Sequence, residues 1–204
     1  MDSKSCYMEA LTETVLSGTG DSDAHLLTLY GIALSIKAKT ILELGVRGGS
    51  TTLPLLMAAK QTGGRVVSVD IEPTSFEPPE DLKAHWQFVQ MDALEYLEGL
   101  YKDFPIDFVY VDDWHSYAHV KAELAELDKL VSPASVICLH DLMYGNHQPR
   151  YHTDLTAGAG AQWADGGPYR AVAELPAQFW EFSTIPSCNG LTILRKKYSN
   201  RYHV

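Results

Sequence analysis

The 204-residue sequence has few cysteines, few basic residues and no long hydrophobic run. Its three cysteines form no CxxC pair and no metal-binding spacing, which excludes a cysteine-based metal site and favours reduced thiols in the cytoplasm. A net charge of −10 argues against a nucleic-acid partner, because phosphates are bound by clustered basic residues. No stretch approaches the roughly 18 apolar residues of a membrane-spanning helix. Residues 1–10 lack the apolar core of a secretory signal, so we expect a cytoplasmic protein with no membrane partner.

Short apolar runs alternate with amphipathic segments along the chain. This alternation predicts an α/β fold, a doubly wound, mostly parallel sheet of the Rossmann-like kind with right-handed crossovers. Two further strand patterns, 179–185 and 190–194, lie so close together that they favour a C-terminal antiparallel hairpin at a sheet edge. We expect one domain over residues 1–204, with helices in residues 1–38. The other expected strands are 41–44, 66–69, 86–90, 108–111 and 136–139, and the other expected helices are 24–36, 51–60, 93–100 and 117–131.

The helical segment 117–131 repeats apolar residues every three or four positions, which predicts one buried face. Glu123, Glu126 and Lys129 fall on the opposite face, so we expect them in solvent. Asp113, shortly before this helix, is also expected to face solvent.

A glycine-rich turn follows the first expected strand, and a helix pattern follows the turn. Gly45 and Gly49 let the backbone turn sharply and approach a ligand, while the N–H groups of the next helix point at the same space. A dinucleotide site is expected to show GxGxxG for the pyrophosphate, but this turn has the spacing Glu43-x-Gly45-x-x-x-Gly49. The turn therefore favours S-adenosylmethionine, which has no pyrophosphate.

Acidic residues close the next two expected strands. Asp70 ends the second strand, where a carboxylate can accept hydrogen bonds from both ribose hydroxyls. Asp92 follows the third strand, where it can accept from the adenine amino group. Ligands of open α/β sheets bind at the carboxyl ends of the strands. Glu43, Asp70 and Asp92 at successive strand ends therefore predict a nucleoside-bearing cofactor.

Four ionisable residues follow the fourth and fifth expected strands: Asp112, His115, His140 and Asp141. Adjacent strands lie about 5 Å apart, so these side chains can converge above the cofactor. A carboxylate pair can hold a divalent cation that lowers the pKa of a substrate hydroxyl, and His115 can remove its proton. Other roles stay open: Asp112 as a helix cap, His115 with no chemical role, and His140 as a hydrogen-bonded core residue.

On these motifs the chain resembles the class I S-adenosylmethionine-dependent methyltransferases, from about residue 41 to 141 and in topology to 194. The resemblance implies S-adenosylmethionine as cofactor, with the glycine-rich loop on its methionine part, Asp70 on ribose and Asp92 beside adenine. The cofactor-binding residues that it implies are Glu43, Gly45, Val46, Arg47, Gly49, Ser50, Thr51, Asp70, Ile71, Asp92, Ala93, Asp112 and Trp114.

The segment after the fourth strand also resembles the metal-dependent O-methyltransferases of the catechol and macrocin-like types. These carry a metal-binding Asp at the position of Asp112, a Trp on adenine at that of Trp114, and a basic catalytic residue at that of His115. Where they place an acid followed by Asn or Asp, this chain has His140 followed by Asp141, a pair that also resembles the cephalosporin hydroxylase-like methyltransferases. The resemblance implies Mg²⁺ or Mn²⁺ on Asp112, Asp141 and His140, although magnesium prefers oxygen ligands.

We therefore expect O-methylation of a small-molecule hydroxyl, on a sugar or a phenol, with Asp112 and His115 as catalytic residues. Residues 143–167 show no clear periodicity after a strand end, which predicts a substrate-covering lid, the alternative being a surface excursion or an oligomer contact. A homodimer is compatible with the N-terminal segment. Two other functions stay open: a module that binds the cofactor or a nucleoside without transfer, and a nicotinamide oxidoreductase, against which the missing pyrophosphate loop counts.

Overall fold

A seven-stranded sheet with the strand order β3-β2-β1-β4-β5-β7-β6 organises the protein. The structure is a computed structural model that describes residues 3–101, 104–143 and 165–197. The first five strands are parallel, and β7 pairs antiparallel with both β5 and β6. The strands are β1 (Thr40–Leu44), β2 (Arg65–Asp70), β3 (Trp86–Gln90), β4 (Ile106–Val111), β5 (Val131–His140), β6 (Trp180–Ile185) and β7 (Leu191–Lys196).

Helices cover both faces of this sheet. Of the six described α-helices, the first three along the chain pack against one face of the sheet and the last three pack against the other. The expected doubly wound fold is therefore confirmed, and the antiparallel pairing of β6 with β7 confirms the expected C-terminal hairpin. One-turn 3-10 helices lie at Asp23–His25 and Lys83–His85. The α-helices are α1 (Ser3–Ser17), α2 (Leu26–Ser35), α3 (Thr52–Thr62), α4 (Ala93–Glu98), α5 (Tyr117–Leu130) and α6 (Gly167–Ala173).

The side chains of β1 alternate between the two cores. Leu42 and Leu44 pack on the side of α4, α5 and α6, and Ile41 packs on the side of α1, α2 and α3. Because both faces of a doubly wound sheet are covered, such a strand reads as a continuous apolar run. Glu43 interrupts this run on the α3 side and is nevertheless fully buried.

Two elements differ from the sequence-based expectation. The fifth strand was expected at 136–139 but β5 begins at Val131, because Pro133 and polar residues hide its first half in the sequence. The Ser135 hydroxyl donates to the Ile106 carbonyl at 2.6 Å, beside a register shift between β4 and β5. Helix α6, which was not expected, begins at Gly167, where the expected lid ends. The remainder of that lid, residues 144–164, lies outside the described residues.

Over residues 3–101, 104–143 and 165–197, no helix is long and apolar enough to cross a membrane.

Shortening a core side chain of α3 tests whether this packing stabilises the fold. Leu55 is fully buried, so Leu55→Ala is expected to lower the free energy of unfolding by about 2–5 kcal/mol through lost burial and a residual cavity. Leu16 on α1 is 81% exposed, so Leu16→Ala is expected to change it by less than about 0.5 kcal/mol. Urea unfolding followed by circular dichroism measures both, and equal stabilities of the two variants would contradict the packing described.

Candidate active site

The glycine-rich loop after β1 lies against the end of β4. Gly45 has φ +88°, and a Cβ atom there would overlap the backbone carbonyl of Asp112. Gly49 has φ +75°, and a Cβ atom there would overlap the Phe76 ring. Glycine alone combines this left-handed backbone with so close an approach. The two glycines therefore fix the path of the loop over the carboxyl edge of the sheet.

A buried carboxylate holds this loop to the sheet. Glu43 accepts hydrogen bonds from the hydroxyls of Thr51 at 2.7 Å, Thr52 at 2.8 Å and Ser68 at 2.6 Å. Trp86 extends the network, since its indole N–H donates to the Ser68 hydroxyl at 2.9 Å. Burial raises the pKa of Glu43 to about 7, although the three hydroxyls lower it in part. Glu43 thus connects the start of α3 to β1 and β2.

Asp70, at the end of β2, binds the same loop through its backbone. One carboxylate oxygen accepts from the N–H groups of Val46 at 2.8 Å and Arg47 at 3.0 Å. The other accepts from the N–H of Glu72 at 2.9 Å. Arg47 lies in the left-handed region with φ +48°, a strained conformation that these bonds help to maintain. Asp70 therefore shapes the loop and also borders the space beside it.

Two cavities of about 430 and 540 Å³ meet at this loop and share Gly45, Arg47 and Asp112 in their walls. Glu43 and Gly49 line neither cavity and act from beneath the loop. Asp92 caps α4 with one oxygen, which accepts from the N–H groups of Leu94 and Glu95. The other residues expected to bind cofactor lie in the wall of the first cavity (Asp70, Ile71, Asp92, Ala93 and Trp114) or of the second (Val46, Ser50 and Thr51).

The ends of β4 and β5 bring Asp112, His115, His140 and Asp141 together, as expected. His115 Nε2 lies 3.2 Å from an Asp112 oxygen and 3.1 Å from an Asp141 oxygen. The Tyr110 hydroxyl donates to the second Asp112 oxygen at 2.8 Å. Burial raises the pKa of Asp112, but the charges and hydrogen bonds of His140 and His115 outweigh it, so the pKa lies below its usual range. Asp112 is therefore ionised at neutral pH.

His140 is almost completely buried and interacts through both ring nitrogens. Its Nε2 lies 2.8 Å from the Cys188 carbonyl, and its Nδ1 lies 3.3 Å from Asp112 and 3.2 Å from Asp141. Burial lowers the pKa of His140, but the two carboxylates raise it overall to about 9. The structure places His140 Nδ1 beside both carboxylates, and His140 as a metal ligand stays a prediction from the sequence.

Asp141 follows β5 in a left-handed conformation with φ +64°. Its Oδ1 is buried and forms no hydrogen bond, although His140 Nδ1 lies 3.2 Å away, and burial raises the pKa of the carboxyl. Ligand atoms of Asp112, His115 and Asp141 all lie within 4.8 Å of one another. Two carboxylates, one of them with an unsatisfied oxygen, together with an imidazole, fit a divalent cation.

Two expectations for the neighbouring residues are wrong. Glu123 was expected on the solvent side of α5 but is fully buried, and the Asp113 side chain, expected in solvent, is only 16% exposed. Both contact His119, whose Nε2 lies 2.9 Å from Asp113 and 3.6 Å from Glu123. Burial raises the pKa of Glu123 above its usual range. Burial lowers the pKa of His119, but the two acids outweigh it and raise the pKa to about 10.

Sequence reasoning also missed the N-terminal wall of the second cavity. Thr19, Asp21 and Ser22 line it, although no sequence motif marked them as site residues. The side chain of Asp21 lies 3.5 Å from that of Arg47 across the mouth of the cavity. The segment that precedes the 3-10 helix therefore borders the second cavity.

A family model described as a methyltransferase domain matches residues 42–142, about half of the chain, which include the loop and both strand ends. The chain belongs to the class I methyltransferases. No match was found among curated proteins.

Solved structures share the fold of this methyltransferase over nearly its whole length. Cofactor-bound Rv0187 from MTB is 20% identical with a TM-score of 0.67, covering 98% of this chain and 92% of that chain. The O-methyltransferase TomG from Streptomyces achromogenes, in complex with SAM, is 21% identical with a TM-score of 0.65, covering 97% and 91%. The O-methyltransferase from Bacillus cereus, in complex with SAH, is 19% identical with a TM-score of 0.60, covering 97% and 92%.

The buried Glu43 gives this methyltransferase a testable pH dependence. The pKa of Glu43 is raised from 4.5 to about 7, so the folded protein binds this proton more tightly than the unfolded chain. The unfolding free energy of the wild type, relative to Glu43→Gln, is therefore expected to fall as pH rises from about 4.5 to 7, by at most about 3 kcal/mol. Urea unfolding of both proteins at pH 5, 6, 7 and 8 measures this difference. A difference that stays constant over this range would show that Glu43 does not titrate as described.

Proposed function

We propose that this methyltransferase transfers a methyl group from S-adenosylmethionine to a hydroxyl oxygen of a small molecule, on a sugar or a phenol. The observation that carries the proposal is the convergence of Asp112, His115 and Asp141 at the junction of two cavities shaped by the glycine-rich loop. Relatives of similar fold are described as O-methyltransferases in complex with SAM or SAH, which supports the same chemistry here.

The first cavity suits the adenosine part of the cofactor. Its volume of about 430 Å³ lies within the range of small-molecule sites. Asp92 uses only one carboxylate oxygen to cap α4, so the other can accept from the adenine amino group. Ile71 and Trp114 are 63% and 53% exposed, and such apolar surface is suited to packing against a purine ring. Asp70 borders the same cavity and can accept from the ribose hydroxyls.

The second cavity suits the methionine part and the acceptor. Ser50 and Thr51 line it at the start of α3, where backbone N–H groups favour a carboxylate. Asp21 and Arg47 place one charge of each sign at its mouth, which matches the zwitterionic end of the amino acid. Asp112 is common to both cavities, so the sulfonium would lie close to the carboxylate and imidazole cluster.

The cluster is suited to activating the acceptor hydroxyl. When bound, S-adenosylmethionine supplies the electrophilic methyl group, and a divalent cation such as Mg²⁺ or Mn²⁺ lowers the pKa of the hydroxyl. Asp112 and Asp141 would hold this cation, and His140, whose Nδ1 lies 3.3 Å from the first carboxylate and 3.2 Å from the second, is the third ligand predicted from the sequence. His115 would accept the hydroxyl proton, and the carboxylates 3.1–3.2 Å from its Nε2 would stabilise the imidazolium.

Location and partners follow from composition. We infer a cytoplasmic enzyme with no nucleic-acid or membrane partner, which is supported by the net charge of −10 and by the unpaired state of Cys6, Cys138 and Cys188. We also propose that the enzyme is a homodimer, which size-exclusion chromatography tests.

Removal of the Asp70 charge tests the cofactor assignment. Asp70→Asn is expected to weaken SAH binding by about 10-fold to 100-fold, because hydrogen bonds to a charged group are lost and the amide NH2 opposes the backbone N–H groups on one side of the carboxylate. Glu72→Gln removes a charge from the exposed neighbour and is expected to leave affinity unchanged. Titration calorimetry with SAH measures both variants, and equal affinities would refute the assignment.

Substitution of His115 tests the catalytic assignment. His115→Ala is expected to lower methyl transfer by about 10²-fold to 10⁴-fold while SAH affinity stays near that of the wild type. His85→Ala, at the opposite edge of the sheet, is the matched control and is expected to leave transfer unchanged. SAH release is measured with a panel of catechols, phenols and hexoses, with and without Mg²⁺ or Mn²⁺. Full transfer by His115→Ala would refute the role of His115, and SAH binding by wild type without transfer to any acceptor would favour a non-catalytic binding module.

A further inference from the structure

A second group of metal-binding side chains lies beside the first. Asp113 follows β4, while His119 and Glu123 stand one turn apart on α5, a spacing that places both on one helix face. His119 Nε2 lies 2.9 Å from an Asp113 oxygen and 3.6 Å from a Glu123 oxygen. One ligand atom from each of the three residues lies within 4.8 Å of the other two.

The oxygen atoms of this group are buried without satisfying partners. Glu123 is fully buried, and neither of its carboxylate oxygens has a hydrogen-bond partner. Oδ1 of Asp113 is also buried and has no hydrogen-bond partner. Buried carboxylate oxygens in proteins are normally paired, hydrogen-bonded or bound to metal, because burial without a partner is strongly unfavourable. A single imidazole between two carboxylates leaves three oxygen atoms unsatisfied.

We propose that Asp113, His119 and Glu123 form a second divalent-cation site, separate from the cluster of Asp112, His115 and Asp141. Binding of the cation displaces the protons of this group, which leaves two carboxylates and a neutral imidazole with two negative charges for a divalent cation to balance. A mixed nitrogen and oxygen donor set favours Zn²⁺ over Mg²⁺. In a tetrahedral zinc site, bonds of about 2.1 Å separate the ligand atoms by about 3.4 Å. The observed distances of 2.9 and 3.6 Å lie on either side of that value.

The place of this site in the fold gives the cation a structural role. Asp113, Trp114 and His119 all line the first cavity. A cation on Asp113 and Glu123 joins the loop after β4 to α5 and so fixes the segment that carries Trp114. Its effect is therefore to stiffen the wall of the cavity, and none of its three ligands belongs to the cluster assigned to the acceptor hydroxyl.

Zinc binding to the metal-free protein tests the proposal. Asp141→Asn is used as the starting protein, because it disables the first cluster and leaves the second intact. We expect this variant to bind one equivalent of Zn²⁺ in titration calorimetry and to melt at a higher temperature when Zn²⁺ is added. Adding Glu123→Gln is expected to weaken that binding by at least about 10-fold and to abolish the shift in melting temperature. Adding Glu126→Gln instead, the same change at a neighbouring acid of α5, is expected to preserve both.

A second measurement keeps the test decisive if Glu123→Gln perturbs folding. Co²⁺ replaces Zn²⁺ and reports its ligands by visible absorption, and His119→Gln is expected to remove the absorption band that the Asp141→Asn protein shows. Equal Zn²⁺ binding in the Glu123→Gln and Glu126→Gln proteins, or a Co²⁺ band that survives His119→Gln, would overturn the proposal. Neither readout uses the methyl-transfer reaction, so failure of the proposed function would leave this result unaffected.

Discussion

The buried Glu43 carboxylate is the interaction on which the site most depends. Three hydroxyls donate to it, and through them the start of α3 and strand β2 are held to β1. The loop above it approaches Asp112 so closely that only glycine fits at position 45. A flexible loop here would lose the left-handed Arg47 backbone and the two N–H groups that Asp70 accepts from. This buried acid thus fixes the loop that borders both cavities.

Charge is arranged in two neighbouring groups after β4. Asp112 faces His115 and His140, which keep it ionised, while Asp113 faces His119 on α5. Each group combines carboxylates with imidazole and contains buried oxygen atoms that lack hydrogen bonds. The first stands where the two cavities meet, and the second stands in the wall of the first cavity. One pair of consecutive aspartates can therefore serve chemistry with one side chain and rigidity with the other.

Local patterns in the sequence predicted the succession of strands and helices along the chain and the residues that follow the strands, because hydrophobic periodicity and apolar runs are local properties. They did not predict the burial of Glu123, since a helical periodicity assigns charged residues to solvent unless another element supplies a partner. They left His140 open between a metal ligand and a hydrogen-bonded core residue, because its contact with the Cys188 carbonyl joins residues 48 positions apart. Both cases depend on tertiary contacts. The sequence signal for the second cluster is the spacing His119-x-x-x-Glu123 on a helix that follows two consecutive aspartates.

The central claim is that cofactor and cation meet at Asp112. A crystal structure of the protein with SAH and Mn²⁺, with anomalous scattering used to locate manganese, tests it most directly. The account predicts SAH across Gly45, with its adenine beside Trp114 and Asp92, and a manganese peak between Asp112 and Asp141. SAH bound elsewhere, or manganese absent from Asp112 and Asp141 while SAH occupies the cavity, would contradict it.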